Sequence, residues 1–370
     1  MEISLDWFSH CSYSLSIILP IMVLYLKLQL QFIHMFLFFS CSSLPPFSSS
    51  STILSGINLH GTTLQLRIEE GKITNLHDSN SGLDYEGTWI IPAFIDSHVH
   101  LAYYPVSQEL LNGGISAVID LAAPVEFLSQ NLQPLEIKRS GPMITSMQGY
   151  PTQSWGSNGY GIECADEQSV EDNIIELHNL GAEIIKLPLT SPPTLTDPQL
   201  NRAIQAAKNL GLPTVTHAMT NIQVARTGQA GVDILAHTPT EILNETSLSL
   251  WEDKTIISTL YAFGSTNSVS NLSQLYQRGA KILYGTDLGN TQDAGISTNE
   301  LLLLAQTGMS NADIIDSGTS IPADFWGFSE LGYIQEGYNA SFLVLDADPY
   351  IDISTLGRPL EVWINGEKRE

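Results

Sequence analysis

From Ile53 onward the chain alternates apolar and polar residues in short runs, and the period of that alternation changes along its length. Thr63-Leu64-Gln65-Leu66-Arg67-Ile68 and Lys72-Ile73-Thr74-Asn75-Leu76 flank Glu70-Gly71. A period of two on both sides of a glycine turn predicts an antiparallel hairpin. Ala340-Ser341-Phe342-Leu343-Val344-Leu345-Asp346 and Glu361-Val362-Trp363-Ile364-Asn365-Gly366 read the same way. Two small β groups thus bracket a long middle, and their pairing into one satellite sheet is expected.

The middle, roughly residues 93 to 330, has a different rhythm. Five times a glycine closing a helix-like run is followed by a short apolar strand: Gly114-Ile115-Ser116-Ala117-Val118-Ile119, Gly181 to Leu187, Gly211 to His217, Gly231 to His237 and Gly279 to Asp287. Glycine is the usual residue just past a helix end, and unbroken apolar runs suit strands covered on both faces. Repeated helix-then-strand units imply a parallel α/β sheet. One helix is legible in detail. Asp197-Pro198-Gln199 supplies its N-cap and first turn, and Leu200, Ala203, Ile204, Ala207 and Leu210 recur at helical spacing.

Residues 1 to about 50 look unlike the rest. Two apolar blocks, Leu15 to Leu26 and Phe32 to Phe39, surround the single cation Lys27 and run into Ser- and Pro-rich Cys41 to Ser51. A secretory or lipoprotein signal fits the approach to Ser40-Cys41-Ser42-Ser43, but Met1 is followed by no cationic region and Asp6 is out of place. Lys27, Gln29 and Gln31 cut the apolar stretch below the ~20 residues of a membrane span. The third reading, an upstream extension foreign to the folded part, is adopted because domain-like patterning starts abruptly at Ile53. It goes with a cytoplasmic location; the other two would export the chain or anchor it to a membrane.

At 370 residues, 43% apolar and 15% charged, the chain can bury a large core. Its formal charge of −24 argues against nucleic acid, whose phosphates the average field would repel, and disfavours anionic substrates. Cys11, Cys41 and Cys164 form no CxxC pair and are too few for a disulfide framework.

The strand ends carry the candidate chemistry. An apolar run, Trp89-Ile90-Ile91-Pro92-Ala93-Phe94, leads into Ile95-Asp96-Ser97-His98-Val99-His100. Two histidines two positions apart on a strand point to one face and supply half of a zinc site, although a strand tip can also be polar without holding a metal. Later strands end Ile184-Ile185-Lys186, Thr214-Val215-Thr216-His217, Ile234-Leu235-Ala236-His237 and Leu283-Tyr284-Gly285-Thr286-Asp287. Singly, each polar tip is more readily structural than functional. Together they place four histidines, an aspartate and a lysine in phase at strand ends, which in a closed β/α barrel converge on one mouth.

At these residues the sequence resembles the amidohydrolase superfamily, metal-dependent hydrolases that include imidazolonepropionase, dihydroorotase and prolidase-like carboxypeptidases. The resemblance runs over residues 53 to 370. It rests on Pro92-Ala93-Phe94-Ile95-Asp96-Ser97-His98-Val99-His100, Gly231 to His237, Gly285-Thr286-Asp287, and Gly332-Tyr333-Ile334-Gln335-Glu336-Gly337 leading to Asp346-Ala347-Asp348-Pro349. Ala93 stands where glycine is usual, and Asn339-Ala340-Ser341 replaces a charged-Ala-Asp; neither is a ligand position.

The resemblance implies a distorted (β/α)8 TIM barrel over residues 93–330 and a small β-sandwich formed from both chain ends, 51–92 and 331–370. It implies that His98, His100 and Asp287 hold one divalent ion and His217 and His237 a second, with zinc preferred. Lys186 is implied to be carboxylated, a carbamate able to bridge ions ~3.5–4 Å apart. With Lys186 unmodified, one ion is expected. A metal-activated hydroxide would attack a C–N bond, with Asp287 and His237 as the catalytic pair and Asp287 shuttling the proton. A mononuclear heterocycle deaminase or imidazolonepropionase-like enzyme is the alternative, and a metal-free scaffold relative the alternative of another class.

The loops bear on the substrate. The stretch from Gln148-Gly149-Tyr150-Pro151 to Gly161, with Trp155 and Tyr160, reads as a lid, a platform or a plain surface loop, and Tyr103 and Tyr104 are further candidates. No arginine lies near a strand tip, which favours a small neutral amide, cyclic amide or lactone as partner, in a chain that could form homo-oligomers. His60, His77 and His178 fall outside the tips and read as surface or core residues; His10 and His34 belong to the leader.

Overall fold

The alternating segment after Ile53 forms β1 (Thr52–Leu59), β2 (Thr62–Glu69) and β3 (Lys72–Asp78), an antiparallel meander. Its second turn is as tight as the sequence implies: Glu70 (φ 50°) and Gly71 (φ 79°) are both left-handed, the two-residue geometry that matches strand twist. The structure, a computed structural model, describes residues 51–78 and 84–370. The expectations placed on residues 1–50, with Cys11, Cys41, His10 and His34, lie outside the described residues.

Along the chain follow β4 (Trp89–Pro92), β5 (Phe94–Val99), β6 (Ile115–Asp120), β7 (Glu136–Arg139), β8 (Met143–Ser146) and β9 (Gly161–Cys164). Next come β10 (Ile185–Pro188), β11 (Thr214–His217), β12 (Ile234–Leu235), β13 (Thr255–Ile257) and β14 (Lys281–Leu283), and finally β15 (Phe342–Leu345), β16 (Glu361–Ile364) and β17 (Glu367–Lys368). One sheet has the order β17-β16-β15-β4-β1-β2-β3. Sequence-distant strands meet in it as expected, with β15 antiparallel to β4 and Phe342 opposite Pro92. Leu54, Leu66, Ile73, Ile90 and Phe342 form its core, and the Phe342 ring stacks on Trp363 at 5.7 Å.

The middle is parallel, as the glycine rhythm predicts. β10 to β14 pair in chain order, β5 to β7 form a second sheet, and β8 and β9 a third. All five rhythm glycines, Gly114, Gly181, Gly211, Gly231 and Gly279, have positive φ, between 72° and 100°. No sheet closes on itself by strand pairing among the described residues. Single backbone bonds bridge the gaps instead. Ser97 N donates to Tyr284 O (2.9 Å) and His100 N to Leu288 O (2.8 Å), tying β5 to the segment after β14. Glu183 N donates to Arg139 O (2.9 Å), tying β7 to the approach to β10.

The helix Asp197–Asn209 corrects one detail. Its N-cap is Thr196, whose hydroxyl accepts from Gln199 N while the Gln199 side chain returns to Thr196 N (2.9 Å), leaving Asp197 as the first residue inside. A reciprocal capping box satisfies two end donors at once, which aspartate followed by proline would not do here. No helix among the described residues is long and apolar enough to cross a membrane.

Candidate metal centre

β5 delivers His98 from a fully buried strand, and His100 lies just past its end. The approach is held by two buried aspartates. Asp96 accepts from His98 N (3.0 Å), Thr286 N (3.1 Å) and the Thr286 hydroxyl, so β5 is clamped to the segment that carries Asp287. Burial pushes its carboxyl up to about 7 against those bonds. Asp120, at the end of β6, accepts from Leu101 N (2.6 Å) and Ala122 N (3.3 Å) and fixes the chain directly after His100.

His217 ends β11, His237 lies two residues beyond β12, and Asp287 four beyond β14. Asp287 has left-handed backbone (φ 55°), its N–H donates to His98 O (2.9 Å), and its Oδ2 accepts from Asn290 (3.2 Å). Lys186 departs from expectation: it is the second of four residues in β10, not its tip, because Leu187 and Pro188 continue the ladder with β11. Its side chain is buried and still faces the cavity.

The six expected residues come together. His98, His100, Lys186, His217, His237 and Asp287 all line one cavity of about 350 Å³. Asp287 Oδ1 lies 3.1 Å from His100 Nε2 and 3.4 Å from His98 Nε2. The His98 and His237 rings are 4.5 Å apart, as are His217 and His237. The tightest potential cluster is His98, His237 and Asp287, whose donor atoms lie within 4.8 Å of one another. It cuts across the expected division, taking members from both ion groups.

The donors suit a cation. His98 Nδ1 is 2.9 Å from Ala236 O, which fixes the proton there and leaves Nε2 buried without a hydrogen-bond partner. His237 Nδ1 lies 3.0 Å from the Thr259 hydroxyl, and donating its proton there would turn the Nε2 lone pair to a cation. Burial, with Lys186 nearby, lowers His98 well below its ordinary value and His217 to about 3; burial, then His217, lowers His237 likewise. All three are neutral imidazoles with a lone pair to give. Burial alone would raise Asp287, but the imidazoles aimed at it outweigh this and hold it well below the usual carboxylate range. A buried carboxylate among neutral imidazoles is a donor set that fits a divalent ion.

The floor is closely packed. A Cβ on Gly285 would sit 2.4 Å from Ile257 Cγ2 and 3.3 Å from His98 Cβ. Gly285→Ala is expected to cost about 1–3 kcal/mol of unfolding free energy by overpacking, measured by denaturant titration of the metal-free protein.

Some of the cavity wall matches expectation and some does not. Trp155 and Tyr103 line it, so the Gln148–Gly161 loop does border the site; Tyr104 and Tyr160 are not among the lining residues, though Tyr160 backs Trp155 at 5.2 Å. Met143, Phe263, Gly289 and Asn290 also line it and were not singled out from sequence. Phe263 ends the four-residue helix Leu260–Phe263, held by the buried Glu300, which accepts from Leu260 N (2.9 Å) and Tyr261 N (2.7 Å). His60, His77 and His178 are exposed and remote from the cavity lining.

Comparison with known proteins places the chain. An uncharacterised protein of Mycobacterium tuberculosis (strain ATCC 25618 / H37Rv) is 21% identical over 293 residues, 67% of this chain and 77% of that one. The crystal structure of a Xaa-Pro dipeptidase with methionine in its active site shares the fold at TM-score 0.73 and 19% identity, covering 87% of this chain and all of the other. Phenylurea hydrolase B shares it at TM-score 0.66 and 17% identity, covering 86% and 96%. Residues 89–369, well over half of the sequence, match the amidohydrolase family, and the chain belongs to that family.

Proposed function

We propose that this chain hydrolyses a C–N bond, in an amide or cyclic amide, of a small neutral substrate, with two divalent ions held by His98, His100, Lys186, His217, His237 and Asp287. The observation that carries this reading is the convergence of all six on one cavity, with three donor atoms inside 4.8 Å. When bound, the metal would activate water at neutral pH and polarise the scissile carbonyl.

The chain's own residues do the rest. Asp287, held ionised, takes the proton of the attacking water and returns it to the leaving nitrogen. His237, with Nδ1 held by the Thr259 hydroxyl, keeps a fixed ring orientation beside the reacting group. Burial pushes Lys186 down to about 7, so near neutral pH a substantial share of its amine is uncharged and able to take up CO2. The carbamate so formed is an anion with two donor oxygens, whereas unmodified Lys186 goes with a single ion. Neutral substrates are favoured because no arginine lines the cavity and its one lysine, Lys186, is taken up as the carbamate.

The same reading treats the three parallel sheets as parts of a distorted (β/α)8 barrel over 93–330, supported by the bonds across their seams, and the seven-stranded sheet as the sandwich of 51–92 with 331–370. A heterocycle deaminase with one ion is the second reading, favoured by the single compact triple His98, His237 and Asp287. Metal analysis of the purified full chain, followed by assay of the zinc-loaded protein with N-acyl amino acids, hydantoins, dipeptides and lactones, is the test. Two ions per chain and acid plus amine products are expected; one ion with ammonia release would favour deamination, and no bound divalent ion would end both.

A further inference from the structure

Beyond the metal donors, the cavity wall is aromatic, and the rings begin directly at the ligands. Trp155 lies 5.7 Å from the His100 ring, Phe263 4.7 Å from His237, and Tyr150 5.9 Å from His217. Whatever is bonded to a carbonyl held at those histidines therefore meets an aromatic face within one or two bonds. Two of the polar groups on this wall, the Trp155 indole N–H and the Asn290 amide N–H, are already engaged. Trp155 Nε1 donates to the Tyr150 hydroxyl (2.7 Å), and the Asn290 amide donates to Asp287 (3.2 Å). Apart from the hydroxyls of Tyr103 and Tyr150, what the wall offers a ligand is ring surface.

The wall is also built in advance. The loop carrying Trp155 is pinned by the Thr152 hydroxyl on Glu163 (2.6 Å) and by Ser154 N and Gly156 N on Pro151 O (3.0 and 3.2 Å). A Cβ on Gly149 would meet Thr145 Oγ1 at 2.3 Å, so the loop root is packed tightly onto β8. Edge-on packing of Trp155 against Tyr103, at 5.5 Å and 75°, extends the surface toward solvent, where Tyr103 is 53% exposed. The volume of about 350 Å³ is at the small end of ligand sites, ~300–1,000 Å³. It suits one ring, one amide and a short second substituent.

We infer that the substrate is a neutral arylamide, with a flat aromatic group joined at or next to the scissile C–N bond, and that Trp155 and Phe263 select it by contact with that ring. This rests on the hydrolase reading of the same cavity. Aromatic pairs prefer the offset and edge-on arrangements these walls allow. A carboxylate finds no arginine here, and an ammonium on the ring would face the bound divalent ions. The step is ordinary hydrolysis: water adds across the amide, the C–N bond breaks, and acid and arylamine leave.

The test uses the full chain and four probes: acetanilide, N-methylacetamide, and acetanilide bearing a para carboxylate or a para trimethylammonium group. Zinc-loaded protein is expected to hydrolyse acetanilide with kcat/KM at least ~10-fold above N-methylacetamide and above both charged analogues, the scale set by apolar pocket contacts. Trp155→Leu and Phe263→Leu are expected to shrink that aryl-to-methyl ratio mainly through KM, and Trp155→Phe to restore most of it. Binding of the same probes to metal-free protein, read by tryptophan fluorescence and by its loss in Trp155→Phe, separates the two ideas. Ring-selective binding without hydrolysis of acetanilide supports the aromatic wall but overturns the arylamide as substrate, and the hydrolase reading falls with it only if the same zinc-loaded protein also leaves N-acyl amino acids, hydantoins and dipeptides uncut. Hydrolysis without ring preference, a preference for either charged analogue, or a ratio unmoved by both leucine variants overturns the inference and leaves the hydrolase standing.

Discussion

Asp287→Asn is expected to leave the fold and the metal content nearly intact while lowering turnover by about 10²–10⁴, the usual range for loss of a positioned acid–base group. The substitution is a clean one for a physical reason. Asp287 sits at φ 55°, a left-handed conformation that asparagine tolerates better than almost any other side chain with a Cβ. Its backbone bond to His98 O does not involve the carboxylate. Lost with the carboxylate are its negative charge and its capacity to accept and return a proton, while one amide oxygen remains to face the ion. Near-normal turnover in protein of unchanged metal content would remove Asp287 from that role.

Lys186→Met is expected to reduce bound metal from two ions per chain to one and to cut turnover at least ~100-fold, beyond what loss of an outer partner of a metal ligand costs. Two retained ions with full activity would show that Lys186 bridges nothing. The same variant makes an opposite prediction for stability. Burial lowers the Lys186 amine from 10.5 to about 7, so the folded chain resists a proton that the unfolded chain takes up. That penalty is full below pH 7, fades as pH rises from 7 toward 10.5, and is absent above. Metal-free Lys186→Met should therefore unfold at higher denaturant than the parent at pH 7, with the gap closing toward pH 10.5. A variant less stable than its parent across that range would mean the amine is not held uncharged at neutral pH.

What could be read from the sequence, and what could not, divides along the range of the interactions. Period-two alternation gave away the hairpin of β2 and β3, and the left-handed glycines gave away the parallel strands, because both are set by neighbours a few residues apart. His98, His100, His217, His237 and Asp287 stood out because ionisable groups at the ends of apolar runs are costly unless used. Phe263 carried no such mark. It reaches the cavity only because Thr259 takes a left-handed turn and Glu300, some forty residues on, caps the turn that follows. Nor could spacing show that His98, His237 and Asp287 form the compact triple, since that depends on how far the chain runs past β12 and β14 before it bends. Thr196, too, took the cap from Asp197 by the side-chain geometry of Gln199.

The pairing of β15 with β4 also sets a schedule for synthesis. β4 ends at Pro92 and β15 starts at Phe342. At the usual 5–20 residues per second, one flank of β4 waits on the order of tens of seconds for its neighbour to leave the ribosome. Throughout that interval Ile90 and Ile91 lie beside an open row of peptide groups, the arrangement other nascent chains can capture. Slowed translation between these two points should thus lower the yield of native protein more than equal slowing before Trp89.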